Sequence, residues 1–286
     1  MSNKFGFISI LGRPNAGKST LMNSLVGEKI SIVSKKQQTT RDRITGIMQG
    51  EGYQAVFLDT PGIHGGSSRL SKYMQGVIDE AAKGVDVTLY LVPADRRLDD
   101  TDREYLKKLR NPIVVITKCD IVKDKEQILL KIEEVGGGMP VSAKTGKGME
   151  QLKAEILSRL PEGDAMYPED IATDRSSKFI AAELIREQAL NFLSDEIPHG
   201  VGVMIEKFEY KDNGLLVVNA VILCEKKTHK PIIIGKGGAS LKRISTGSRI
   251  ELEALFGTKV YLETFVKIKE DWRDRQSILN ELGYRL

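Results

Sequence analysis

The stretch "GRPNAGKST", residues 12–20, stands between an apolar run, "FGFISIL" (5–11), and a helical one, "KSTLMNSLVG" (18–27). It has the G-x-x-x-x-G-K-[ST] spacing of a phosphate-binding loop, in the strand–loop–helix setting that the chemistry requires. Gly12 and Gly17 let the backbone curl around phosphate oxygens. The amides of Asn15, Ala16, Gly17, Ser19 and Thr20 then face an anion at the positive end of a helix. Lys18 supplies a point charge to the β- and γ-phosphates, and Ser19 supplies a hydroxyl to Mg²⁺.

Further apolar runs follow: "QAVFLDT" (54–60), "VTLYLVPA" (87–94), "NPIVVITK" (111–118) and a weaker "GMPVSA" (138–143). Near-continuous apolar strands alternating with helical segments imply a mostly parallel sheet with helices on both faces, an α/β P-loop domain. "GKGMEQLKAEILSRL" reads as its last helix, closed by Pro161. Residues 161–177, "PEGDAMYPEDIATDRSS", show no apolar period and read as a linker. The expected boundaries are 1–162, a linker at 163–177, and a second domain over 178–286.

The chain has 286 residues, enough for two domains. Its formal charge of +4 says little about partners. Yet from Lys226 to Ile250 there are seven Lys and Arg residues and no Asp or Glu. Cys119 and Cys224 lack metal-ligand spacing and are expected reduced. There is no apolar run of membrane-spanning length, and "FGFISIL" is too short for a signal peptide. A cytoplasmic monomer is the expectation.

Three further stretches decide the nucleotide. In "DTPG" (59–62), Asp59 ends a strand where it can hold Mg²⁺ and its water, and the Gly62 amide can sense a γ-phosphate. In "TKCD" (117–120), the Asp120 carboxylate can accept from guanine N1 and N2, a donor pair that adenine lacks. In "SAK", Ser142, Ala143 and Lys144, the Ala143 amide can reach guanine O6. Together these stretches resemble the translation-factor-like GTPases, so GTP and GDP with Mg²⁺ are the expected ligands. The family's base motif is Asn-Lys-x-Asp. Thr117 replaces the asparagine here, with Lys118 and Asp120 kept.

"KKQQTTRDR" (35–43) reads as a mobile first switch, with Thr40 reaching Mg²⁺ and γ-phosphate and Thr39 as its alternative. Where many GTPases carry a water-orienting glutamine, this chain has Ile63. Catalysis then rests on Lys18, Thr40, Gly62 and Asn15. Asn15 either helps hold a potassium ion against the phosphates or only stabilises the loop. A slow switch is expected rather than a fast enzyme.

The second half changes class. "KFIAAELIREQALNFLSDEI" reads as a long helix and "GVGVMIEKFEYKDNGLLVVNAVILCE" as a hairpin turning at "KDNG". Then come "PIII", the loop "GKGG", a helix and a strand. This α-β-β-α-α-β order is that of an α+β type II KH domain, whose GxxG loop clamps a single-stranded nucleic-acid backbone. Gly235, Lys236, Gly237 and Gly238 form the loop, Lys242 and Arg243 add phosphate contacts, and Ile233 and Ile234 are expected to line the base groove.

With "QTTR", "DTPG", "SAK", the linker and "IIIGKGGASLKRI" on the page, the chain resembles the Era family from about residue 5 to its end. The resemblance implies a GTPase that binds 16S ribosomal RNA near its 3′ end, assists 30S subunit assembly and associates peripherally with the membrane. Thr117 and "GGSSR", where lysine is more usual, depart from that pattern. An RNA-binding module with a vestigial nucleotide site is the alternative. A P-loop enzyme phosphorylating a small molecule is weaker, because no acceptor site is legible.

Overall fold

A computed structural model describes residues 3–34, 36, 38–63, 67–194 and 197–284. The chain forms two compact units. One comprises Met1–Ser31, Thr40–Gly65 and Met74–Asp174; the other comprises Ile32–Thr39, Gly66–Tyr73 and Arg175–Leu286.

The first unit is built on six strands: β1 (Lys4–Gly12), β2 (Ile44–Gly50), β3 (Tyr53–Asp59), β4 (Val87–Pro93), β5 (Ile113–Thr117) and β6 (Met139–Pro140). Their order in the sheet is β2-β3-β1-β4-β5-β6. All neighbours run parallel except the pair β2 and β3. The helices are α1 (Lys18–Val26), α2 (Arg69–Ala81), whose first residues group with the second unit, α3 (Asp100–Lys108), α4 (Lys125–Glu134) and α5 (Met149–Arg159). Ile8, Ile10, Leu89, Leu91, Val115 and Ile116 are fully buried, as a sheet covered on both faces requires.

Two features lie outside the sequence expectations. β2 is an antiparallel edge strand that the apolar pattern does not mark. Residues 163–172, read as linker, run along that edge with defined partners. Ile47 N donates to Ala172 O at 2.8 Å, and Gln49 Nε2 donates to the carbonyls of Pro168 and Ile171. The Gln54 amide accepts from the N–H groups of Met166 and Tyr167 and donates to Tyr167 O. A covered edge strand is protected from pairing with other chains.

The second unit has α6 (Ser177–Phe192), β7 (Gly202–Tyr210), β8 (Leu216–Cys224), α7 (His229–Ile234), α8 (Ala239–Phe256), β9 (Val260–Ile268) and α9 (Gln276–Glu281). β7 and β8 pair antiparallel, with Gly214 at φ 80° in the turn, and β8 pairs parallel with β9. This is the expected α-β-β-α-α-β order. α6 is shorter than its sequence pattern: it stops at Phe192, where Leu193 turns extended. Its apolar face shares a core with Val218, Ala220, Ile222 and Ile244, and Ile32 joins that cluster.

Candidate functional site

Local backbone geometry prepares the phosphate loop. Gly12 sits at φ 145°, where an added Cβ would lie 2.8 Å from Leu91 O, and Gly17 at φ 92° opens α1. Asn15 is also left-handed, at φ 61°, and exposed at the loop's tip. Lys18 is buried and donates to the carbonyls of Gly12 (2.9 Å) and Arg13 (3.1 Å). Burial lowers its pKa to about 8, while the nearby Asp59 charge opposes that shift. An anion in the loop favours the charged ammonium further.

Ser19, Thr40 and Asp59 meet as expected. Ser19 Oγ donates to Asp59 Oδ2 at 2.6 Å and lies 3.0 Å from Thr40 Oγ1. Ser31, which no motif marks, adds a third hydroxyl: its Oγ donates to the same carboxylate oxygen at 2.8 Å. Asn23 holds Ser31 in place, accepting from the N–H groups of Ile30 and Ser31 and donating to Ser31 O. Asp59 is fully buried, and burial pushes its carboxyl pKa up. Its Oδ1 is buried with no hydrogen-bond partner among the described residues. A buried carboxylate oxygen beside two hydroxyls is a hard oxygen donor set, which fits Mg²⁺ arriving with a nucleotide.

The second switch begins against this loop. A Cβ on Gly62 would lie 2.7 Å from Pro14 Cα, so only glycine fits, and Ile63 N donates to Gly12 O at 3.3 Å. Ile63 is buried with Leu11, Ile78, Tyr90, Val92 and Leu98. It therefore has a packing role and no access to water. Ile63→Ala is expected to cost about 2–4 kcal/mol of stability through the cavity it leaves, with most GTP hydrolysis per folded molecule retained. Chemical denaturation beside single-turnover hydrolysis checks both; a collapse in turnover without loss of stability would contradict the assignment. Residues 65 and 66 of "GGSSR" lie outside the described residues, as do 35 and 37 in the first switch.

The residues expected to meet the base gather at the ends of β5 and β6. Thr117 Oγ1 donates to Ala16 O at 2.7 Å, which ties this strand to the phosphate loop. Lys118 is left-handed (φ 59°), and its ammonium lies 3.9 Å from Asp95 Oδ2. Asp120 is exposed, and Ser142 Oγ donates to its Oδ1 at 2.7 Å. Ala143 is half-buried beside an exposed Lys144.

Within the second unit, α6 carries a buried charge cluster. Arg186 is 1% exposed, donates from Nε to Glu183 Oε1 at 2.8 Å, and donates from Nη2 to Thr39 O. Glu187 Oε1 accepts from Val33 N at 2.7 Å. The backbone on both sides of residues 34–38 is thus held by one helix, and the next residue is Thr40.

The GxxG loop is as expected. Gly235, Gly237 and Gly238 have φ of 76°, 59° and 80°, and Lys236, Lys242 and Arg243 are exposed. The groove is corrected in one residue. Ile233 is fully buried in the core and cannot meet a base, whereas Ile232 is 53% exposed and Ile234 half-buried. A six-residue helix at α7 turns the middle isoleucine inward.

Comparisons with known proteins bear on the family and the fold. A family model described as a 50S ribosome-binding GTPase matches residues 7–118, and a KH-domain model matches residues 196–273. GTPase Era of Clostridium botulinum is 44% identical over 99% of this chain and 98% of its own. The chain belongs to the GTPase Era family. Its Ruminiclostridium cellulolyticum relative is 42% identical over the whole chain. Among solved structures, Era in complex with MgGDPNP and nucleotides 1506–1542 of 16S ribosomal RNA superposes with a TM-score of 0.95, at 36% identity, covering 99% of this chain and 100% of that one. A variant of Aquifex aeolicus Era bound to GDP and AlF4⁻ gives 0.94, at 37% identity over 99% and 100%.

Proposed function

We propose that this member of the GTPase Era family binds 16S ribosomal RNA near its 3′ end under control of GTP, and so assists 30S subunit assembly. One observation carries the reading. A single chain holds an assembled Ser19–Thr40–Asp59 set and an open GxxG loop, and it superposes end to end on an Era that holds both MgGDPNP and 16S RNA.

In the hydrolytic step, the loop amides and Lys18 hold the β- and γ-phosphates and offset the charge that develops on their oxygens. Ser19, Thr40 and Asp59 hold Mg²⁺, which when bound neutralises phosphate charge. The Gly62 amide faces the γ-phosphate from the second switch. Asp120, oriented by Ser142, selects guanine. No side chain at position 63 orients water, so turnover is slow. Asn15 is left-handed at the tip of the loop; it either helps hold a potassium ion near the phosphates or only stabilises the loop. If it holds the ion, hydrolysis is expected about tenfold faster in potassium than in sodium chloride of equal strength, and Asn15→Ala should remove the difference. Equal rates in both salts would leave Asn15 a loop-shaping role alone.

The bound RNA strand runs past Gly235–Gly238, its phosphates on Lys236, Lys242 and Arg243 and its bases toward Ile234. Nucleotide state reaches this surface along the chain that leads into Thr40, which Glu187 holds at Val33 and Arg186 holds at Thr39. The family resemblance supports a cytoplasmic monomer with peripheral membrane association. Among the described residues no helix is long and apolar enough to cross a membrane. The test is titration with an RNA copy of the 3′-terminal segment of 16S rRNA beside a scrambled RNA of equal length. Preference for the native segment supports the reading; equal binding, or none, overturns it.

A further inference from the structure

Thr117 is 4% exposed at the end of β5, and its Oγ1 donates to Ala16 O at 2.7 Å. A hydroxyl carries one proton. Here that proton is spent inside the protein, and the oxygen has only lone pairs left to offer. Guanine carries N7 and O6, both acceptors, on one edge, and with Asp120 reading N1 and N2 that edge is the one left to face Thr117. An acceptor oxygen makes no hydrogen bond to N7. The neighbouring side chains are committed elsewhere: the Lys118 ammonium lies 3.9 Å from Asp95 Oδ2, and Cys119 Sγ donates to Ile116 O at 3.2 Å. On the opposite edge the base meets Asp120, which Ser142 fixes from one side and which keeps lone pairs for N1–H and N2–H.

We infer that this chain selects guanine without reading N7, and that Thr117 is a positioning residue, a tie between the base-binding strand and the phosphate loop at Ala16. The inference rests on the nucleotide reading above and narrows it to one edge of the base. It also explains how the motif tolerates threonine for asparagine. The tie to Ala16 needs one donor, and threonine supplies it. An asparagine amide has two N–H donors, so it can keep the tie and still offer one to N7.

The probe is 7-deaza-GDP, in which carbon replaces N7 at unchanged size. Its binding is compared with that of GDP by direct titration. The protein as it stands should bind the two within about twofold of each other. Thr117→Asn should favour GDP by about three- to tenfold, the worth of one net hydrogen bond. Thr117→Ser keeps a single donor and should stay indifferent to N7. Thr117→Val loses the tie and should weaken both ligands equally, leaving their ratio near one. A natural protein that prefers GDP by about fivefold or more would overturn the inference while leaving the nucleotide reading intact. A folded Thr117→Asn that remains indifferent would overturn the role given to position 117. Failure of GDP itself to bind would take down the nucleotide reading and this inference together.

Discussion

Asp120→Asn should lower GDP affinity by about two to three orders of magnitude and raise affinity for xanthosine diphosphate by a comparable factor. In the proposed reading the carboxylate accepts from the two N–H donors of guanine. An amide there turns an acceptor toward one donor and a donor toward the other, so one pair is kept and the other becomes repulsive. Xanthine carries a carbonyl in place of the 2-amino group and restores the match. Ser142 makes the exchange clean. Its hydroxyl donates to Asp120 Oδ1 at 2.7 Å and can rotate to suit an amide, so the variant side chain stays oriented. Asp120 is exposed, so the substitution carries little stability cost. Fluorescent-nucleotide competition reads both affinities. GDP binding that stays within about threefold of the natural protein would show that guanine is not read at this residue.

The second large effect is expected at the RNA loop. Replacing Lys236 and Gly237 together by aspartate removes one positive charge and adds two negative ones where a phosphate backbone should lie. RNA affinity should fall about a hundredfold or more, and the remaining binding should depend less steeply on salt. The fold should survive. Lys236 is exposed, nothing lies within 4 Å of a Cβ at Gly237, and aspartate tolerates the left-handed conformation at φ 59° better than most residues. Gly235 is the wrong place for such a test, because a Cβ there would meet the Ser240 backbone at 2.7 Å. GDP affinity serves as the control and should be unchanged. Full RNA binding by the double variant, with its melting temperature intact, would remove the loop from the RNA site.

Much of this was legible in the sequence for physical reasons that can be named. β1, β3, β4 and β5 announce themselves because strands buried on both faces must be apolar throughout. The phosphate loop, "DTPG" and "TKCD" sit at the ends of those strands, so locating the strands located these stretches. β2 escaped because an edge strand such as "ITGIMQG" mixes glycine and polar residues with its apolar ones. The order along residues 163–172 escaped because its partners are Gln49, Gln54 and a backbone N–H of β2, which leave no periodicity in the segment itself. Ser31 belongs to no motif and reaches Asp59 only through the path that Asn23 imposes. Ile233 was misplaced because three consecutive isoleucines carry no phase: nothing in "III" tells which one faces the core. The grouping of Ile32–Thr39 with the second unit is a tertiary fact that no local pattern encodes.

That grouping bears on the central claim, that one nucleotide site governs one RNA site. Arg186 and Glu187 hold the chain on either side of residues 34–38, and Thr40 meets Ser19 immediately after. In the proposed reading Thr40 meets Mg²⁺ and γ-phosphate in the GTP state and loses the γ-phosphate in the GDP state, so the two nucleotides place different demands on this stretch. The most direct measurement is titration of the 16S 3′-terminal RNA against the full chain saturated with GDP, then with a non-hydrolysable GTP analogue. The affinities should differ by about five- to a hundredfold, and by linkage RNA should shift the analogue-to-GDP preference by the same factor. Equal RNA affinity in the two states would contradict the claim and leave two independent modules on one chain.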